Sequence, residues 1–141
     1  MAYTIHTSID IAASPEIVWA ILTDFPSYPE WNPFVSHIEG PIEEGEKIKV
    51  SIDGMKFEPI LQTVIPHEEL SWKGKLWING LFDGEHIFQI NDNQDGTITF
   101  VQKEHFKGLL IPILKKKLEL ETKLGFEKMN IALRDRVEEL G

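Results

Sequence analysis

The chain has 141 residues, a formal net charge of −9, 42% hydrophobic residues and no cysteine. The length and apolar content predict one globular domain over 1–141 with a real core. The charge argues against a nucleic-acid partner, since phosphate contacts need clustered Lys and Arg. The lack of cysteine excludes disulfides and thiolate metal sites, so a reducing cytoplasm is the simple expectation.

"YTIHTSIDI" (3–11) alternates, with Tyr3, Ile5, Ile9 and Ile11 on one face, and predicts a strand. It has no basic start before an apolar run, so no secretion leader is expected. No apolar stretch approaches the ~20 residues needed to span a bilayer, so stable membrane insertion is not expected. In "SPEIVWAILTDF" (14–25), Ser14 suits an N-cap, Pro15 the first helical position and Glu16 the positive helix start. Ile17, Val18, Ile21 and Leu22 form its apolar stripe, and Pro26 ends it. A second short helical turn is expected within 27–32.

Hairpin signals follow. Asp53-Gly54 lies between two alternating runs, with Ile48, Val50 and Ile52 facing Met55, Phe57, Leu61 and Ile65. "LSWKGKLWI", "LFDGEHIFQI" and "TITFVQKEHF" continue an antiparallel meander. A three-residue bulged loop at Asn79-Gly80 would set Trp72 opposite Phe88 and turn Trp77 outward or into a rim. Pairing Ile90 with Ile98 would set Phe88 against Phe100 and His86 against Gln102, with Glu104 beside Gly84. From Pro112 to Leu140 no further proline occurs and Leu, Glu and Lys dominate, which predicts one long helix.

Leu118, Thr122, Gly125 and Met129 recur at spacings of three and four on that helix. Leu114, Leu133, Val137 and Leu140 are bulky at its ends, so the stripe is thin in the middle and leaves room for a cavity. The alternative is that Trp72 or Phe88 fills the space over Gly125. The expected inward sheet face is Phe82, His86, Phe88, Ile90, Ile98, Phe100, Gln102, Glu104 and Phe106, an apolar row interrupted by three polar groups. These either satisfy one another, orient a ligand in an apolar pocket, or work as an acid/base pair through His86 and Glu104.

Other motifs fall away. "NDNQDGTITFVQ" mimics a calcium loop but lacks the closing Glu and flanking helices. The five histidines never pair at i, i+4, and no phosphate loop or nucleophile elbow occurs, so no metal and no cofactor are expected. Lys115 to Lys117 read as a solvated face, or with Leu109, Leu110 and Ile111 as a patch that touches membranes; the apolar run before Pro112 is expected at the cavity mouth.

The order of these elements, with "SPEIVWAILTDFPSYPEWNPF", "GLFDGEHIFQI" and "HFKGLLIPIL…LGFEKMNIALRDRVE", resembles the START-like (SRPBCC) superfamily of polyketide cyclase/dehydrase-type proteins. The resemblance implies an α+β helix grip: a curved antiparallel sheet of six to seven strands around a long C-terminal helix, with two short helices after strand 1. Tyr28, Trp31 and Phe34 would plug one end, stiffened by Pro26, Pro29 and Pro33. An apolar cavity would lie between sheet and helix, touched by Phe57, Trp72, Phe82, Phe88, Phe100, Gln102, Phe106, Leu110, Leu118, Thr122, Gly125 and Met129. Three functions remain open: a carrier or sensor of a small hydrophobic molecule, a cyclase or dehydratase using His86 and Glu104, and a protein-interaction module with a filled core.

Overall fold

The computed structural model describes residues 2–75 and 80–140. Strand β1 (Ala2–Ile11) leads to α1 (Pro15–Leu22), a 3-10 turn (Phe25–Ser27) and α2 (Tyr28–Trp31). Strands β2 (Val35–Glu39), β3 (Lys49–Ile52), β4 (Met55–Phe57), β5 (Ile60–Ile65), β6 (Glu69–Lys75), β7 (Asp83–Asp92) and β8 (Ile98–Lys107) follow. The terminal helix runs unbroken through α3 (Ile111–Lys117), a π-helical turn (Leu118–Thr122) and α4 (Lys123–Leu140).

The expected helix grip is present, with its sheet in two parts. Five strands pair in the order β1-β8-β7-β6-β5, and three in the order β2-β3-β4. An isolated bridge, Lys47 to Ile60, stitches the parts together. There Ile48 N donates to Pro59 O at 2.9 Å and Leu61 N to Glu46 O at 2.9 Å. The run 55–65 is cut at Glu58-Pro59 because proline cannot donate to a ladder. The strand over 35–39 has no alternating pattern, only Val35 and Ile38 buried, and no strand was expected there from the sequence.

Ser14 caps α1, accepting from Ile17 N at 3.4 Å. Asp53 and Gly54 both take positive φ, the requirement of the tight hairpin between β3 and β4. Several expected registers are displaced. Phe88 pairs with Gln102, His86 with Glu104 and Ile90 with Phe100, two residues along from expectation. The same faces stay inward because a two-residue slip preserves the pleat. Trp72 pairs with His86 rather than Phe88. The last described pair before the β6–β7 connection is Lys75 with Asp83; the expected three-residue loop falls on residues 76–79, Trp77 and Asn79 among them, which lie outside the described residues. A bulge between Leu61 and Thr63 turns Val64 toward the core and leaves Ile65 exposed.

The terminal helix also departs from the simple stripe. Its buried residues are Ile111, Leu118, Phe126, Met129, Asn130, Leu133 and Val137, while Leu140 is exposed. A π turn adds one residue per turn, so the inward phase after Leu118 advances to Phe126 instead of Gly125.

The aromatic segment after α1 is a packed plug. Tyr28 is wholly buried, in edge contact with Phe25 at 5.6 Å and Trp31 at 5.1 Å. Its hydroxyl donates to Leu22 O. Burial, reinforced by nearby Asp24, pushes the phenol's pKa well above its ordinary 10.0. A group with a raised folded pKa stabilises fully below its unfolded pKa and loses that contribution as pH rises above it. Stability therefore falls above about pH 10 by up to ~1.4 kcal/mol per pH unit from this one group. Urea titrations should show Tyr28→Phe about 1 to 2 kcal/mol less stable at neutral pH, from the unpaired Leu22 carbonyl, with a shallower alkaline decline.

Candidate functional site

A pocket of about 480 Å³ opens where the first half of the terminal helix faces the β3–β4 hairpin and the ends of β6, β7 and β8. Val50, Ile52, Met55 and Phe57 form the hairpin side, Phe82, Phe106 and Trp72 the sheet side, and Leu118, Thr122, Leu124 and Gly125 the helix side. Its size and apolar walls are those of a small-molecule site. The π turn lies over this pocket, and the wall residues Leu118 and Thr122 are its two ends.

His86 and Glu104 line the pocket from β7 and β8; Asp53, Lys75, Lys117, Glu121 and Lys128 are the charged residues around the rest of it. His86 Nδ1 lies 3.1 Å from Glu104 Oε1. The Glu104 side chain keeps 17% of its surface exposed while His86 keeps 1%. His86 is walled by aromatic rings: Trp72 stacked at 5.2 Å, Phe88 at 4.6 Å and Phe126 at 4.9 Å. Glu104 Oε2 rests over Gly84, where any Cβ would collide with it. Among the described residues Oε2 has no hydrogen-bond partner.

Behind His86 a buried polar chain runs away from the pocket. His86 Nε2 lies 2.9 Å from Gln102 Oε1. Gln102 Nε2 donates to Asn130 Oδ1 at 2.8 Å and to Phe126 O at 3.3 Å. Asn130 Nδ2 donates to Thr7 Oγ1 at 2.9 Å, and Thr7 Oγ1 donates to Gln102 O at 2.8 Å. Thr7 and Asn130 were missed in the sequence, although each is a polar residue in the buried phase of its element.

Of the ligand-contacting residues expected from sequence, Phe57, Trp72, Phe82, Phe106, Leu118, Thr122 and Gly125 line the pocket. Phe88, Phe100, Gln102 and Met129 do not; they are fully buried beyond the His86 layer, where the grip is packed solid. Leu110 is half-buried and away from the pocket, Ile111 joins the smaller core cluster and Leu109 is exposed, so that run does not form the mouth. The space over Gly125 is occupied neither by Trp72 nor by Phe88. Phe34 fills it: a Cβ at Gly125 would stand 2.5 Å from its ring. Phe34 in turn meets Phe126 edge-on at 5.4 Å. Among the described residues no His, Cys, Asp and Glu cluster could hold a metal ion. No described helix is long and apolar enough to cross a membrane.

The family model for polyketide cyclase / dehydrase and lipid transport matches residues 2–138. The chain belongs to that family. A START superfamily protein from Mycobacterium smegmatis superposes with TM-score 0.74 at 21% identity, covering 98% of this chain and 99% of the other. The Zhui aromatase/cyclase from a Streptomyces species gives 0.75 at 14% identity, over 98% and 94%. Norcoclaurine synthase from Thalictrum flavum, in complex with dopamine and hydroxybenzaldehyde, gives 0.75 at 13% identity, over 99% and 88%. At these identities the likeness is one of fold, the START-like helix grip. A search of curated proteins finds no match.

In this member of the polyketide cyclase/dehydrase family, Gly84 makes the room in which Glu104 reaches His86. Gly84→Ala should push Glu104 aside and separate the pair, with a loss of about 1 to 2 kcal/mol. The check is urea unfolding together with a shift of the His86 imidazole signals in NMR; unchanged imidazole signals would show that the pair does not depend on this glycine.

Proposed function

We propose that this family member binds a small hydrophobic molecule, aromatic or lipid-like, in the pocket beneath the π turn, as carrier or sensor. The observation that carries this reading is a 480 Å³ apolar hollow whose depth holds one polar pair, His86 and Glu104. Apolar walls supply affinity and a few placed polar groups supply orientation. The family's description includes lipid transport, and a fold neighbour is seen with two small aromatic molecules, both of which favour the same reading. The hollow weighs against an interaction module with a filled core.

Nile red, an uncharged apolar probe, should bind saturably to the purified protein. Thr122→Trp places an indole in the hollow and should weaken binding by at least about tenfold, or ~1.4 kcal/mol. Its melting temperature should stay within a few degrees of the parent. Undiminished probe binding in that variant would remove the pocket from consideration.

A second reading has an observation of its own: Glu104 contacts His86 and lines the pocket at once. A carboxyl–imidazole pair at a ligand can move protons, as a cyclase or dehydratase requires, and such groups contribute about 10²- to 10⁴-fold to rate. Given a polyketide-like substrate that turns over, Glu104→Gln and His86→Ala should each lower turnover by about that factor with affinity within about threefold. Parallel losses of affinity and turnover would assign the pair to orientation instead.

A further inference from the structure

We propose that the pocket selects an apolar molecule bearing a neutral hydroxyl, and that Glu104 Oε2 is the atom that accepts its hydrogen bond. This rests on the binding reading above and goes further, because it fixes the chemistry of the ligand's one polar group.

Two backbone carbonyls, which can only accept, set the direction of the whole chain. Gln102 O takes the Thr7 hydroxyl proton, so Thr7 Oγ1 is left to accept from Asn130 Nδ2. Asn130 must then turn Oδ1 toward Gln102, which meets it with Nε2. Phe126 O imposes the same orientation independently, since it too accepts from Gln102 Nε2. Gln102 therefore presents Oε1, an acceptor, to His86, and His86 Nε2 must carry a proton.

The other imidazole nitrogen faces Glu104 Oε1 at 3.1 Å. With Nε2 protonated, that contact is a hydrogen bond only when one proton lies between Nδ1 and Oε1. The proton belongs to imidazolium or to carboxylic acid, and in either placement it lies on the His86 side of Glu104. Oε2, turned away over Gly84 and left unpaired, is an acceptor both ways. A ligand group meeting it must donate. The pair as a whole carries no net charge, and Lys75, Lys117 and Lys128 line the same pocket against Asp53 and Glu121, so an ammonium would meet no net opposing charge to offset its desolvation. A ketone, ester or ether would set lone pairs against lone pairs. A phenol or alcohol fits. Thr7, Asn130 and Gln102 never touch the ligand; they are positioning residues that set the direction of its hydrogen bond.

The test uses β-naphthol and its methyl ether, which differ in one donor, each titrated against Nile red on the full chain. β-Naphthol should bind roughly ten- to a hundredfold more tightly, the penalty for leaving a buried acceptor unpaired. In Glu104→Leu the ratio should fall to about one. A methyl ether that binds the parent as tightly as β-naphthol overturns the proposal. If both compounds fail to bind, the pocket reading fails with it. Imidazole nitrogen shifts of His86 in the ligand-free parent supply a second measurement that no folding defect of a variant can blur. Protonated Nε2 supports the proposal; a neutral ring protonated only at Nδ1 would leave the pair with a net negative charge and overturn the selection of a neutral donor over an ammonium.

Discussion

The buried hydrogen-bond chain from Thr7 to Glu104 constrains everything around it. Polar groups in an apolar interior are tolerated only when their partners are in place, and unmade bonds there carry the full desolvation penalty. This chain draws one residue from β1, one from β7, two from β8 and one from α4. It therefore ties three strands and the terminal helix to a common register. It also forms a seam. On one side lies the large core of Phe88, Phe100, Leu133 and Val137; on the other, the smaller cluster of Ile5, Phe106, Leu118 and Phe126. The pocket borders both, with Val50 and Trp72 of the large core and Phe106 and Leu118 of the smaller cluster among its walls, and the seam reaches it in Glu104.

Two glycines shape this end in opposite ways. Gly84 is small so that a carboxylate can lie across the strand; Gly125 is small so that Phe34 can press against the helix. Phe34 touches both core clusters and lines the pocket. The aromatic segment after α1 thus does two jobs. Tyr28 anchors it deep in the large core, and Phe34 delivers an aromatic wall to the pocket.

Much of this architecture was legible in the chain because local signals were strong and agreed with one another. Ser14-Pro15, Asp53-Gly54 and the proline-free tail each carry a mechanism, and each element formed where that mechanism placed it. His86, Gln102 and Glu104 stood out as polar residues in an apolar phase, and they do meet one another. Legibility failed where one residue alters phase. The bulge at Leu61/Thr63 exchanged Val64 for Ile65, and the π turn exchanged Phe126 for Gly125. Neither irregularity leaves a mark in hydrophobic periodicity, because both arise from tertiary packing. Phe34 was likewise seen as a plug residue but not as the neighbour of Gly125, a contact between positions 91 apart in sequence (125 − 34) that no local pattern encodes.

The π turn also separates two halves of one rod. Downstream, Phe126, Asn130 and Leu133 are bound to the core and cannot rotate without breaking the polar seam. Upstream, Leu118 and its neighbours border a hollow and answer to looser demands. Changes in the upstream half, including shifts in which side chain meets the hollow, can be absorbed at the wide turn before they reach Asn130. The widened turn is thus a mechanical decoupler: it lets the pocket wall shift while the core-bound half of the rod keeps its alignment.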